Sequence, residues 1–174
     1  MFQVGFAGIG EPPPIELENK VRAIIRLLKN CCPNAIIMTG GYWGIMKTVV
    51  DEAIRVGLIT VIFPPVEKEV CHNSSICIKS GLSYKNRSIP LVRSSNVLVV
   101  VGGGAGTLLE LVTAYAIGVP VLVLVNTGFT TDNVENCFGE YLDHRKTVKI
   151  HYYRQPENLA QALCSLCRKG GLHE

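Results

Sequence analysis

Short apolar runs alternate with longer amphipathic segments along most of the chain. The longer segments have apolar residues at helical spacing, as in residues 17–28. Strands that are apolar throughout and separated by helices are typical of a parallel sheet covered on both faces. The pattern therefore predicts one doubly wound α/β domain over residues 1–174, with a single parallel sheet. The predicted strands are 4–7, 35–38, 58–63, 97–101, 119–125 and 148–152.

The predicted helices connect these strands. Residues 66–81 are polar and irregular, so they predict no regular element, and Pro90 is expected to interrupt the third helix. No linker, repeat or low-complexity tract divides the chain. The predicted helices are 17–28, 44–56, 84–94, 108–117, a segment from after Asp132 to about His144, and 156–168.

Two glycine-rich turns each follow a predicted strand and precede a predicted helix. Residues 39–46 read Thr-Gly-Gly-Tyr-Trp-Gly-Ile-Met, and residues 102–107 read Gly-Gly-Gly-Ala-Gly-Thr. Glycines let backbone N–H groups approach a ligand closely, and the positive end of a helix dipole favours an anion. In open parallel sheets, ligands bind beyond the carboxyl ends of the strands. We therefore expect two helix N-termini to converge on one anionic ligand.

The second turn also brings a hydroxyl and a carboxylate. Thr107 ends the turn, and Glu110 lies about one helical turn further on. A Thr107–Glu110 capping box is the simpler interpretation. Four glycines within the five residues 102–106 exceed what a cap requires, which favours a ligand site. The turn is not a Walker A loop, because no Gly-Lys-Ser/Thr follows, and no acidic residue ends the next strand as a dinucleotide fingerprint requires.

Arg87 is the third candidate for chemistry. It precedes the 97–101 strand, and a guanidinium there can pair with a phosphate or with Glu110. A solvated surface arginine is the alternative.

In this order and spacing, the segments resemble the LOG (Lonely Guy) family of cytokinin-activating phosphoribohydrolases, often labelled "possible lysine decarboxylase". Residues 102–110 match the family's Pro-Gly-Gly-x-Gly-Thr-x-x-Glu, with Gly102 in place of proline. Arg87 stands eight residues before Ser95-Asn96, where the family has Ser-Asp. The family's Gly-Gly-x-x-Gly-x-Met is matched at residues 40–46. The resemblance covers residues 3–125 and is closest to the branch that includes molybdenum-cofactor carrier proteins.

The resemblance implies a dinucleotide-binding-like (Rossmann-like) fold in a homodimer, with the active site near the dimer interface. It implies hydrolysis of the N-glycosidic bond of a nucleoside 5′-monophosphate, giving free base and ribose 5-phosphate without a metal or cofactor. Arg87 and Glu110 would be the catalytic pair. The implied phosphate- and ribose-binding residues are Gly40, Gly41, Gly44, Gly103, Gly104, Gly106 and Thr107.

A binding protein on the same fold is the alternative function. The family's Met-His-Glu before the arginine is replaced here by residues 84–86, Tyr-Lys-Asn. That loss favours a nucleotide sensor or molybdenum-cofactor carrier that does not turn its ligand over. Retention of both Arg87 and Glu110 favours the hydrolase.

Charge and cysteine content limit the partners. The net charge is +3 and no Lys/Arg-rich run occurs, which argues against nucleic acid. The longest apolar run, 119–125, is too short to cross a membrane, and we expect no signal peptide. Seven cysteines, including Cys164 and Cys167, form no regular framework. We therefore expect unpaired thiols in a reducing, cytoplasmic compartment.

Overall fold

The structure is a computed structural model that describes residues 1–170. It contains a parallel sheet of seven strands with helices on both faces. The strands are β1 Gln3–Gly8, β2 Ile36–Thr39, β3 Ile59–Ile62, β4 Ile76–Cys77, β5 Val97–Val101, β6 Val121–Leu124 and β7 Ile150–Tyr153. The helices are α1 Ile15–Cys31, α2 Gly44–Arg55, α3 Ser88–Arg93, α4 Ala105–Ile117, α5 Val134–Phe138 and α6 Pro156–Arg168, with a 3₁₀ helix at Thr130–Asn133.

The strand order is β4-β3-β2-β1-β5-β6-β7, and every neighbouring pair is parallel. The chain builds outward from β1 to β4, then returns to the other side of β1 to begin β5. The connections therefore diverge between β1 and β5, which is the topological switch point of this sheet. Gly8 at the end of β1 pairs with Val101 at the end of β5. The doubly wound parallel sheet predicted from the sequence is confirmed.

Alternation along β5 explains why a fully apolar strand is needed at the centre. Its odd-numbered residues, such as Val99, pack against α1, α2 and α6. Its even-numbered residues, such as Leu98, pack against α3, α4 and α5. Both faces are buried, so every side chain of the strand contributes to one of two cores.

Three elements differ from the sequence prediction. The segment 66–81 contains the short edge strand β4. Its two residues are too few to form a recognisable strand pattern in the sequence. Helix α3 starts only at Ser88, and Pro90 lies in its first turn rather than interrupting it. Proline is tolerated there, because N–H groups of the first turn need no partner within the helix. Helix α5 ends at Phe138, because Gly139 adopts φ +62° and turns the chain away.

The expectation of unpaired thiols is wrong for six of the seven cysteines. Disulfides join Cys31 to Cys164 and Cys32 to Cys167, and a third joins Cys71 to Cys77. The first two link the end of α1 to α6, which lie side by side although 133 and 135 residues separate the paired cysteines. Sequence spacing alone does not reveal that contact.

No helix within residues 1–170 has both the length and the apolar composition that a membrane span requires.

Candidate functional site

A cleft of about 580 Å³ opens at the carboxyl ends of β1 and β5, at the switch point. The residues after β1 and the turn after β5 form its two sides. Segment 84–88, the loop after β6 and part of α2 complete the lining. Of the nine residues predicted to form the site, six line this cleft: Arg87, Gly103, Gly104, Gly106, Thr107 and Glu110.

Arg87 and Glu110 form a buried ion pair in the cleft wall. Arg87 Nη1 lies 3.3 Å from Glu110 Oε1, and the two residues are only 7% and 5% exposed. Ser88 Oγ donates a hydrogen bond to the same carboxylate oxygen at 3.0 Å. Glu110 therefore does not cap α4, and Arg87 is not a solvated surface residue. Ser88 was not identified from the sequence, although it directly follows Arg87.

Burial dominates the electrostatics of this pair. It raises the pKa of Glu110 above its ordinary value, although Arg87 and the hydrogen bond from Ser88 both lower it. Burial likewise lowers the pKa of Arg87, against the opposing effect of Glu110. Arg87 Nε is also buried without a hydrogen-bond partner among the described residues. A buried charge pair with an unpaired polar atom, in the wall of a cleft, is a candidate for a functional role.

Gly40 and Gly41 lie behind side chains that line the cleft. A β-carbon on Gly40 would stand 1.3 Å from Arg87 Nη1, so only glycine leaves room for the guanidinium. A β-carbon on Gly41 would stand 2.1 Å from the ring of Trp43. The two glycines thus position Arg87 and Trp43, and they do not themselves line the cleft. Their predicted contact with phosphate or ribose remains a prediction.

Gly44 joins the loop after β1 to the start of α2. Its φ is +53°, and a β-carbon would lie 2.2 Å from the carbonyl oxygen of Ile9. Ile45 N–H donates to that same oxygen at 3.0 Å. A side chain at position 44 would break this contact. Gly44 lines a neighbouring groove between α1 and α2, not the cleft.

The turn after β5 offers the best-formed place for an anion. Gly103 adopts φ +146°, and a β-carbon there would meet Thr107 Oγ1 at 2.2 Å. At Gly104 and Gly106, by contrast, a β-carbon would meet nothing within 4 Å. These two glycines therefore border open space at the start of α4, where the first N–H groups have no partner within the helix.

The loop after β6 forms part of the cleft and was not identified from the sequence. Asp132 accepts hydrogen bonds from the N–H groups of Thr127 and Gly128, at 2.9 and 2.8 Å, and from the Thr127 hydroxyl at 2.8 Å. Thr131 N–H donates to Gly103 O at 3.2 Å, which ties this loop to the glycine turn. Phe129 and Thr130 thereby reach the cleft. The sequence marked residues 126–132 only as a polar turn, which does not reveal that the loop reaches the cleft.

Known proteins that are similar to this chain include the following three. An uncharacterized protein of Archaeoglobus fulgidus is 29% identical over 116 residues, which are 66% of this chain and 74% of that protein. The X-ray structure of TM1055 superposes with a TM-score of 0.86 at 32% identity, covering 94% of this chain and 98% of the other. A molybdenum-cofactor (Moco) carrier protein of Chlamydomonas reinhardtii gives a TM-score of 0.74 at 26% identity, covering 96% and 98%.

The model of one protein family matches residues 1–160 of this chain. The matched region includes the switch point, the Arg87–Glu110 pair and the turn after β5. On this evidence the chain belongs to the SLOG cluster4 family.

Proposed function

We propose that the protein hydrolyses the N-glycosidic bond of a nucleoside 5′-monophosphate, releasing free base and ribose 5-phosphate. The observation that carries this proposal is the buried Arg87–Glu110 pair, which lines the same cleft as the glycine turn at the start of α4. The glycine turn offers an anion site and the ion pair offers a carboxylate, and hydrolysis of a phosphorylated sugar requires both.

The phosphate would bind at the start of α4. Gly104 and Gly106 leave open space there, and the first N–H groups of the helix supply donors together with the positive end of the dipole. Thr107, one residue further along the cleft, adds a hydroxyl. Arg87 brings positive charge to the same cleft. These groups favour a dianionic phosphate over a neutral sugar.

The reaction would take place beside Glu110. The C1′–N bond breaks and its electron pair stays with the base nitrogen, which takes up a proton. The oxygen of a water molecule bonds to C1′ and releases a proton. The transition state has oxocarbenium character, which a nearby carboxylate stabilises, and the same carboxylate can orient the water. Arg87 and Ser88 hold Glu110 in place.

A binding protein without turnover is the second candidate, favoured by the likeness to the molybdenum-cofactor carrier protein. A carrier would use the turn at the start of α4 for the cofactor's phosphate and break no bond. Tyr84 and Lys85 line the cleft where the family that this chain resembles has Met-His-Glu before the arginine, and they support this candidate.

Incubation of the purified protein with AMP, GMP, CMP and UMP distinguishes the two. We expect free base and ribose 5-phosphate in equal amounts from the wild type, and loss of both products with Glu110→Gln. Glu52→Gln is the matched control, because Glu52 is also buried and paired with arginines but lies outside the cleft. Nucleotide binding without base release would favour a binding protein, and neither binding nor release would exclude the proposed hydrolase.

We further propose that the chain forms a homodimer through α4. All six exposed positions of this helix are apolar or glycine, and its one charged residue, Glu110, is buried. Leu109 and Val112 are 41% and 48% exposed, and Leu109 also lines the cleft. Light scattering tests this proposal: we expect a dimer for the wild type and a monomer for Val112→Glu. A wild-type monomer would overturn it.

A further inference from the structure

We propose that Trp43 and Tyr84 form the surface on which a planar base stacks when a nucleotide occupies the cleft. This inference rests on the proposed function, since it assigns the base-binding end of the same cleft. Both residues line the cleft, and their rings meet edge to face, with centroids 6.0 Å apart and planes at 75°.

The indole of Trp43 packs against two glycines. A β-carbon on Gly41 would clash with the six-membered part of the ring at 2.1 Å, and one on Gly10 would lie 3.1 Å from Nε1. Two glycines from different loops therefore form a socket that admits the ring. The side chain remains half-buried despite this fit. The ring is therefore fixed where it packs on Gly41, and it keeps exposed surface on the side that lines the cleft.

A cation already approaches one face of this ring. Lys68 Nζ lies 4.7 Å from the indole centroid, and Lys68 itself is exposed on the surface. A base that stacks on this face would take the place of the Lys68 ammonium, which the exposure of Lys68 allows. Tyr84 is 42% exposed and extends the aromatic surface at the cleft mouth.

The strand order gives the nucleotide its direction. Trp43 follows β2 and the glycine turn follows β5, with β1 between them. A phosphate at the start of α4 would therefore leave the base on the β2 side, against the aromatic pair. Arg87 packs on Gly40, next to that pair, and reaches across to Glu110. The sugar carbon that bears the base would then lie close to the catalytic carboxylate.

Fluorescence tests this inference on the protein without any change to the aromatic pair. Trp43 is the one tryptophan in the chain, so all tryptophan emission reports on this site. In a Glu110→Gln background, which removes turnover, we expect AMP and GMP to quench or shift the emission on saturation. Ribose 5-phosphate should bind, as followed by calorimetry, with little change in emission, because it carries no base to stack.

Substitution then measures the contribution of stacking. Loss of one aromatic partner weakens binding of a stacked base by roughly 5- to 150-fold. We expect that loss for AMP with Trp43→Leu, a smaller one with Trp43→Phe and an intermediate one with Tyr84→Leu. Binding of ribose 5-phosphate should change less than about twofold in all three. Tyr84→Leu leaves the Trp43 socket intact, so the comparison survives if a Trp43 variant does not fold.

Different outcomes separate this inference from the proposed function. If AMP and ribose 5-phosphate both bind but Trp43→Leu and Tyr84→Leu weaken them equally, or weaken neither, the stacking surface is wrong while the cleft assignment stands. If neither ligand binds the wild type, the proposed function fails and the inference fails with it.

Discussion

Arg87 fills the space that a side chain on Gly40 would occupy, since its Nη1 lies 1.3 Å from the position of that missing β-carbon. The glycine after β2 and the arginine before α3 are 47 positions apart in the sequence, yet the position of Arg87 requires a residue without a β-carbon at position 40. Through Arg87, Gly40 also governs where the Glu110 carboxylate is held.

Gly40→Ala should therefore behave as a substitution of Arg87. The added methyl group must displace the guanidinium, which breaks its contact with Glu110 and leaves that carboxylate buried with fewer partners. We expect base release to fall at least about tenfold, in line with the loss of one group that stabilises charge in a site. Circular dichroism should show that the fold is retained. Wild-type turnover in Gly40→Ala would contradict this role for Arg87.

Gly106→Ala should raise stability while it weakens ligand binding. Gly106 is a helical, exposed position where a β-carbon meets nothing within 4 Å, so alanine fits and favours the helix by about 0.5 kcal/mol or more. The same methyl group enters the space proposed for the phosphate. Thermal unfolding and calorimetry with ribose 5-phosphate measure the two effects. Unchanged affinity would remove the phosphate from this turn.

The acid limb of the pH–activity profile should report Glu110. Burial raises its pKa, so the carboxylate form is lost, and activity falls, at a pH above the ordinary glutamate value of 4.5. Ser88→Ala removes a hydrogen bond that lowers this pKa. We therefore expect the midpoint to move to higher pH in Ser88→Ala, whereas Ser165→Ala on α6 should leave it in place. A shift to lower pH in Ser88→Ala is the opposite of this expectation.

The two disulfides between α1 and α6 should not contribute additively. Either one alone closes a loop of more than 130 residues. In the chain-entropy account, closing that loop stabilises the folded state by about 5 kcal/mol. Once one is present, the other closes only a ring of a few residues, worth about 2 kcal/mol. Replacing Cys32 and Cys167 by serine should cost about 2 kcal/mol, and replacing all four cysteines about 7 kcal/mol. Urea unfolding measures the loss of stability in each variant. If the two disulfides contributed equally and their contributions added up, the account in which both close the same loop would be contradicted.

A second buried carboxylate, Glu52, should make stability depend on pH. Hydrogen bonds from Arg55 and then Arg26 outweigh burial and lower the pKa of Glu52 from 4.5 to about 2. The folded state thus binds fewer protons than the unfolded state between these values. The contribution is complete above pH 4.5 and is lost as the pH falls toward 2.

Glu52→Gln measures this contribution. We expect it to cost about 1–2 kcal/mol at pH 7, discounted because both arginines are more than half exposed. The difference from the wild type should shrink toward pH 2. Glu16→Gln, in a pair where Glu16 is 79% exposed, is the control and should change little. A difference that persists at pH 2 would exclude the ion pairs as its cause.

The sheet could be predicted from the sequence because its evidence is local. A run such as 97–101, which is apolar at every position and is followed by glycines, predicts a buried strand of a parallel sheet. The pairing of Arg87 with Glu110 was also open to prediction, though only as one of two partners, the other being a phosphate. The packing of Gly40 against Arg87 was not, because it depends on which side chain folds back across the loop. The α1–α6 disulfides escaped prediction because they depend on two helices, far apart in the sequence, lying side by side.

The most direct test of the central claim is ³¹P NMR of AMP incubated with the protein, with free adenine measured in parallel. The account predicts that the AMP signal is replaced by that of ribose 5-phosphate, with one adenine released for each, in the wild type and in Glu52→Gln but not in Glu110→Gln. Adenine release that continues at the wild-type rate in Glu110→Gln would contradict it.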